Sequence, residues 1–213
     1  MHSFPDNRLI SKYYDEAKSA SVIFYHSNND DAAAALINLE RYLNGLIRQW
    51  NRISRQSKLL ETNLAGSMTG GRSAESAKNL EKISKLLTLE VHFYIICWDK
   101  VQKHFKKLEV LSRIPEVGRA RRPVRTLLEN ASRARGFLEH LDNHVISGGL
   151  GQAFGFSFGR GDELIFSYAY VKGRPDATRR VALGKVQLCQ MMSIYESMVG
   201  DLRKQLSIGR APR

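Results

Sequence analysis

The spacing of apolar residues changes twice along the chain, and these changes limit the possible folds more than any other feature. Over the first two thirds of the chain, apolar residues recur every three or four positions, which is the spacing of amphipathic helices. At about 152–184 they alternate, as in strands, and helical spacing then resumes from Val186 to Leu206. This order predicts a mainly α fold, an antiparallel helical bundle of about five helices with a small antiparallel β insertion before the last helix.

The first two predicted helices are followed by a loop. Apolar residues at helical spacing predict a first helix from Leu9 to about Tyr25. The polar run at residues 28–31 predicts the cap of a second helix, whose apolar stripe ends at Ile53. Residues 58–73 contain three glycines, and we therefore expect a loop there.

The third and fourth predicted helices are separated by prolines and a glycine. The third helix follows Ser73, and Pro115 and Gly118 are expected to end it. Pro123 is expected to open the fourth helix, because proline is tolerated in the first helical turn. Gly148 marks the end of the fourth helix.

The β insertion is predicted from two alternating segments and a further short strand. Their apolar residues are Phe154, Phe156 and Phe158, then Leu164, Phe166, Tyr168 and Tyr170, and finally Val181 and Leu183. Residues 172–176 have the composition of a turn. Such a two- or three-stranded insertion is marginally stable alone, so we expect it to pack on the helices or on another chain. The 213 residues are interpreted as a single domain, 1–213.

A large surplus of positive charge indicates a polyanionic partner. Lys and Arg exceed Asp and Glu by 33 to 21, which gives a net charge of +12. Such a surplus favours nucleic acid first and an anionic membrane surface second, and the alternative is that the charge only keeps the chain soluble. Arginines concentrate in residues 113–135, and the candidate nucleic-acid-binding residues among them are Arg119, Arg121, Arg122 and Arg125.

Two further features bear on the cellular setting. No apolar run reaches the roughly 20 residues that span a membrane, and the first residues lack the pattern of a secretory signal, so we expect a cytoplasmic protein without a transmembrane segment. Cys97 and Cys189 lie far apart in amphipathic stretches and are interpreted as core thiols instead of a disulfide framework.

The fourth predicted helix carries the side chains best suited to chemistry. Arg133, Phe137, His140 and His144 share one face, nearly opposite the apolar stripe. A phenylalanine on a polar face predicts that this face is covered by another helix or another subunit. Arg135 and Glu139 lie on the flank between the faces as an i, i+4 pair.

Residues 135–144, which read R-G-F-L-E-H-L-D-N-H, resemble a known family. The first six fit the Arg-x(4–6)-His motif of the HEPN superfamily, which comprises small helical bundles that often dimerise through the motif helix. The whole stretch is similar to the R-N-x-L-E-H-F-D-E-R sequence of uncharacterised bacterial members. Gly136 stands where members usually have a polar residue, and His144 where they usually have arginine. Arg133 with His140 also satisfies the motif, by a spacing that keeps both on one helix face.

The resemblance implies a metal-independent endoribonuclease of a toxin or phage-defence system, without a cofactor. The catalytic residues would be Arg135 and His140, with Arg133 as the alternative arginine. Glu139 would orient a histidine or pair with Arg135, and His144 is a further candidate catalytic residue. RNA is the implied substrate, and a homodimer and an antitoxin or other protein partner are also implied. The alternative is a non-catalytic interaction or RNA-binding module, in which Arg133, Phe137 and His144 form a subunit or partner contact.

A metal site is the remaining alternative for these histidines. His140 and His144 have the i, i+4 spacing that lets two imidazoles bind one ion. However, Glu139 precedes the first histidine instead of following it, and a third ligand would have to come from His92 or His104. We therefore predict no metal.

Overall fold

The computed structural model describes Phe24 and residues 29–69, 73–146, 153–159, 163–169 and 178–208. Its helices are α1 (Asp30–Thr69), α2 (Ala74–Ser112), α3 (Pro115–Arg121), α4 (Arg125–Ile146) and α5 (Lys185–Ile208). Its strands are β1 (Ala153–Gly159), β2 (Glu163–Ala169) and β3 (Thr178–Ala182). The described part is mainly helical, with a small antiparallel sheet before the last helix, as predicted.

The number of long helices differs from the predicted number of about five. The described residues form four long helices and the seven-residue α3, which was not predicted as a separate helix. The predicted first helix, Leu9 to about Tyr25, lies outside the described residues except for Phe24, which is helical and buried.

Helices α1 and α2 form a long antiparallel pair. At about 1.5 Å per residue, each extends roughly 60 Å. The Asn29 side chain caps α1 by accepting a hydrogen bond from the Ala32 amide, and it donates another to the Leu111 carbonyl near the end of α2. Near the other end of the pair, Asn79 donates to Asn63 at 3.0 Å. The cap predicted at residues 28–31 is therefore confirmed at Asn29.

The predicted loop at residues 58–73 is wrong for most of its length, because α1 continues to Thr69. Leu60 packs against the core and gives this part of the helix an apolar contact. Thr62 and Asn63 donate side-chain hydrogen bonds to the carbonyls one turn earlier, so polar residues are accommodated within the helix. Gly66 costs about 1 kcal/mol of helix propensity, which the packing of a long helix can offset.

The boundaries near the prolines also differ from the prediction. Helix α2 ends at Ser112, and Arg113 follows it in the left-handed conformation with φ of 52°. Pro115 begins α3 instead of ending α2, because its missing amide is tolerated at the first helical position. Gly118 lies inside α3. Pro123 belongs to a 3-10 turn at Arg122–Val124, directly before α4.

The sheet has the order β1-β2-β3, and both pairs of neighbouring strands are antiparallel. Phe156 lies opposite Phe166, and Phe166 lies opposite Val181. Leu164 and Phe166 are fully buried in the same core as the helices, and β2 contacts both α4 and α5. The expectation that the strands pack on the helices is therefore confirmed.

The core face of α4 is wider than predicted. Leu128, Ala131 and Ala134 are buried, and so is Phe137, which is 4% exposed and belongs to the main core cluster. Its cover comes from this chain, because β2 and β3 pack against α4. The prediction that Phe137 shares an outward face with Arg133 is therefore wrong, since Arg133 is exposed.

No helix among the described residues is long and apolar enough to cross a membrane.

Candidate functional site

The motif arginine is held by a buried carboxylate on a neighbouring helix. Helix α4 packs on α2, and the Arg135 Nη1 atom donates a short hydrogen bond to Oδ2 of Asp99. The Asp99 side chain is 2% exposed and that of Arg135 is 17% exposed. This ion pair joins two helices across 36 residues of sequence and fixes the direction of the guanidinium.

Asp99 has two further partners. Ser132, one turn before Arg135 on α4, donates its hydroxyl to Oδ1, and the Lys103 ammonium lies 2.9 Å from Oδ2. Burial alone would raise the pKa of Asp99, but the hydrogen bonds from Ser132, Lys103 and Arg135, together with the arginine charge, lower it below its ordinary value. Asp99 is therefore a buried anion.

Glu139 bonds the outer side of the same guanidinium. The Arg135 Nη2 atom donates to Oε1 of Glu139, whose side chain is 48% exposed. The predicted Arg135–Glu139 pair is confirmed. Burial alone would lower the pKa of Arg135, but Asp99 and Glu139 raise it. With Lys103, the cluster has two negative and two positive side chains, and its exposed groups are Glu139 and Lys103.

The remaining candidate residues of the motif are not shown in contact with Asp99. Arg133 is exposed and contacts Asn130, at 3.4 Å, so it is not part of the Asp99 cluster. His140 directly follows Glu139 on α4, and His144 lies one turn later. The backbone of both histidines is helical, but their side chains fall outside the described part of the chain.

Gly136, the departure from the family pattern, lies beside this cluster. A Cβ atom added at Gly136 would meet no atom within 4 Å. The helix therefore has space for a side chain at this position.

One of the four arginines predicted to bind nucleic acid is buried. Arg121 is 4% exposed, donates to Glu109 at 2.6 Å and to Gln102 at 3.3 Å, and lies 4.0 Å from Glu129. Its charge is paired inside the protein. Its guanidinium is therefore not on the surface, where the sequence analysis had placed it.

The other three predicted nucleic-acid-binding arginines are exposed. Arg119 pairs with Glu116, and Arg125 pairs with Glu109 at 3.3 Å. Arg122 is exposed and forms no ion pair with a residue that the structure describes. These three side chains can reach a ligand in solvent.

The two histidines of α2 differ in exposure and in contacts. His92 is exposed, whereas His104 is half-buried and stacks on Tyr42 with ring centroids 5.4 Å apart. Burial, followed by the charges of Lys100 and Lys107, lowers the pKa of His104. No metal-binding group of three ligands occurs among the described side chains, which do not include His140 and His144.

Both cysteines are free thiols, as predicted. Burial raises the pKa of Cys97 to about 11, so its nucleophilic thiolate form is scarce at neutral pH.

Asp99 was missed by the sequence analysis, although the sequence contains a signal for it. Asp99 follows Ile95 by four positions and Trp98 by one, so it falls inside the apolar stripe of α2. A carboxylate at such a position needs a charged or hydrogen-bonding partner, because burying an unpaired charge costs several kcal/mol. The sequence does not reveal that the partner is Arg135.

No protein-family model, no curated protein and no solved structure matches this chain.

Proposed function

We propose that this protein is a HEPN-like RNA-engaging protein and that Arg135 is its phosphate-binding residue. The observation that carries the proposal is the arrangement of the guanidinium. Asp99 holds it from the buried side, while Glu139 bonds its other terminal nitrogen near the surface. A phosphate that displaces Glu139 would meet a preoriented arginine fork, and such forks suit phosphate oxygens.

The proposed reaction is metal-independent cleavage of RNA by its own 2′-hydroxyl. The 2′ oxygen forms a bond to phosphorus and loses its proton to a base, while the bond from phosphorus to the 5′ oxygen breaks and that oxygen gains a proton. His140 follows Glu139 on the same helix and is the proposed proton-transfer group, since imidazole titrates near neutral pH. Arg135 would neutralise the negative charge that develops on the phosphate oxygens.

The basic surface and a second subunit belong to the same proposal. Arg119, Arg122 and Arg125 are exposed and could bind the RNA backbone outside the cleavage site. A homodimer would supply a second His140, so that one imidazole acts as base and the other as acid. An antitoxin or other protein partner and a toxin or phage-defence setting follow from the resemblance alone, and we propose a cytoplasmic location with them.

A non-catalytic RNA-binding or interaction module is the second candidate. The observation that favours it is that both terminal nitrogens of Arg135 already bond carboxylates of the same chain. In this alternative the ion pairs hold α2 and α4 together, and Arg135 does not contact the substrate.

Cleavage of a labelled RNA by the purified protein, with and without a chelator, tests the proposal. We expect cleavage that persists in chelator and leaves a 2′,3′-cyclic phosphate and a 5′-hydroxyl. His140→Ala should lower the rate by about 100-fold or more, which is the usual contribution of a general acid or base.

His92→Ala is the matched control, because His92 is an exposed histidine on α2, outside the Asp99 cluster. Its rate should equal that of the wild type. RNA binding without cleavage would support the module instead of the enzyme. Cleavage that survives in His140→Ala, or that the chelator abolishes, would contradict the proposed mechanism.

A further inference from the structure

The two edges of the sheet are protected to very different degrees. β3 has five residues and carries Arg179 and Arg180, whereas β1 has seven residues with no charge and no proline. Natural edge strands are usually protected from pairing by charge, proline or short length. No strand among the described residues pairs with the free edge of β1. Within the described part of the chain, this edge is therefore open to another strand.

Burial decreases across the sheet toward the same edge. Leu164 and Phe166 on β2 are fully buried, but their neighbours on β1 are not. Phe156 is only partly buried against the core, and Phe158 is 38% exposed. Their rings lie 6.1 Å apart in an edge-to-face arrangement. An occupant of this edge would have to supply apolar cover in addition to backbone hydrogen bonds.

The order of residues in β1 is nearly the same in both directions from Phe156. In an antiparallel pair of two β1 strands centred on this residue, Phe154 lies opposite Phe158 and Gly155 opposite Ser157. Each phenylalanine position then faces a phenylalanine position, and each small residue faces a small one. A slip of one residue would place phenylalanines opposite glycine or serine.

We propose that a second copy of this chain pairs its β1 with this edge, so that two three-stranded sheets join into one of six strands. A two-fold axis at Phe156 makes the contact self-complementary, as a symmetric dimer requires. Cross-strand aromatic pairs and the backbone ladder stabilise it. The inference goes beyond the proposed function, because this contact uses the sheet edge instead of α4 and does not depend on RNA cleavage.

The test is the association state of the full chain in the absence of RNA, measured by analytical ultracentrifugation. We expect the wild type to be a dimer. Ser157→Lys should raise the dimer dissociation constant by about tenfold or more, because a lysine on an edge strand opposes pairing and the two added charges lie diagonally across the interface. Ser157 is exposed, so the circular dichroism spectrum of the folded variant should match that of the wild type. Ser193→Lys, at an exposed position of α5, adds the same charge and should leave the dimer intact.

Chemical crosslinking tests the register. A chain with Gly155→Cys and a chain with Ser157→Cys are mixed and treated with a short bismaleimide, and the mixed pair should crosslink faster than either chain with itself. A monomeric wild type would overturn the proposal, as would a dimer that Ser157→Lys leaves intact. The first result would mean that another segment of the chain or a different protein covers β1, and the second that two copies meet elsewhere.

Discussion

Among single residues, Asp99 has the largest influence on the candidate site. Its carboxylate accepts hydrogen bonds from Ser132 and Arg135, and Lys103 is its third partner. The i, i+4 spacing of Arg135 and Glu139 could be predicted, because both lie on one helix. The contact with Asp99 could not, since it depends on how α2 packs against α4.

Asp99→Asn should destabilise the protein by about 2 kcal/mol, because it leaves a largely buried guanidinium without its main counter-charge. Urea unfolding at neutral pH measures this change. Asp201→Asn is the matched control, since Asp201 is 46% exposed and pairs with Lys204 at 3.2 Å. It should cost no more than about 0.5 kcal/mol. Equal losses in the two variants would show that the buried pair contributes no more than a surface pair.

The pH dependence of stability should also report on Asp99. Its pKa is lower in the folded protein than in the unfolded chain, so the carboxylate stabilises the fold above its unfolded pKa. This stability is lost as the pH falls through the lower, folded pKa, below about pH 4. The free energy of unfolding of the wild type should therefore fall more steeply in acid than that of Asp99→Asn. Parallel curves for the two proteins would contradict this role.

The elements with strong local signals were predicted correctly. The cap at Asn29 and the alternation in β1 and β2 depend on residues that are close together in sequence. The extension of α1 over residues 58–69 was missed, because packing of Leu60 outweighed the glycine content. The buried position of Phe137 was missed, because its cover comes from a sheet formed by later residues and the spacing within α4 does not show how that sheet packs.

Two helical glycines provide a test of packing at the level of elements. Gly136→Ala should raise the free energy of unfolding by about 1 kcal/mol, since alanine favours helix and the added methyl group meets no atom within 4 Å. Gly45→Ala should gain less, because its Cβ would lie 3.1 Å from the Cys97 sulfur, where α1 and α2 are close. Denaturant titration compares the two. A gain at Gly45 equal to that at Gly136 would contradict the tight contact.

For the whole molecule, the net charge of +12 indicates a polyanionic partner but not which arginines would bind it. The arginine-rich segment contains Arg121 and Arg135 as well as Arg122 and Arg125. The fold largely buries Arg121 and Arg135 against carboxylates and leaves Arg122 and Arg125 exposed. Composition cannot separate these two groups, because the difference depends on tertiary packing.

RNA affinity measured against salt concentration should distinguish the exposed arginines. Replacing Arg122 and Arg125 with glutamine should weaken binding and lower the salt slope by about 0.7 to 0.9 for each lost phosphate contact. Lys58 and Lys82 are exposed on other parts of α1 and α2, and their replacement by glutamine removes the same charge. That control should leave the slope unchanged. Identical slopes for both double variants would mean that binding depends only on net charge.

The most direct test of the account is the single-turnover rate of RNA cleavage in chelator, compared between Arg135→Ala and Arg133→Ala. Arg135 is held by Asp99, whereas Arg133 is exposed outside the cluster. Arg135→Ala should lower the rate by about 100-fold or more, as removal of a group that stabilises transition-state charge does. The loss in Arg133→Ala should be at least tenfold smaller. An unchanged rate in Arg135→Ala, or a larger loss in Arg133→Ala, would contradict the assignment of Arg135 as the phosphate-binding residue.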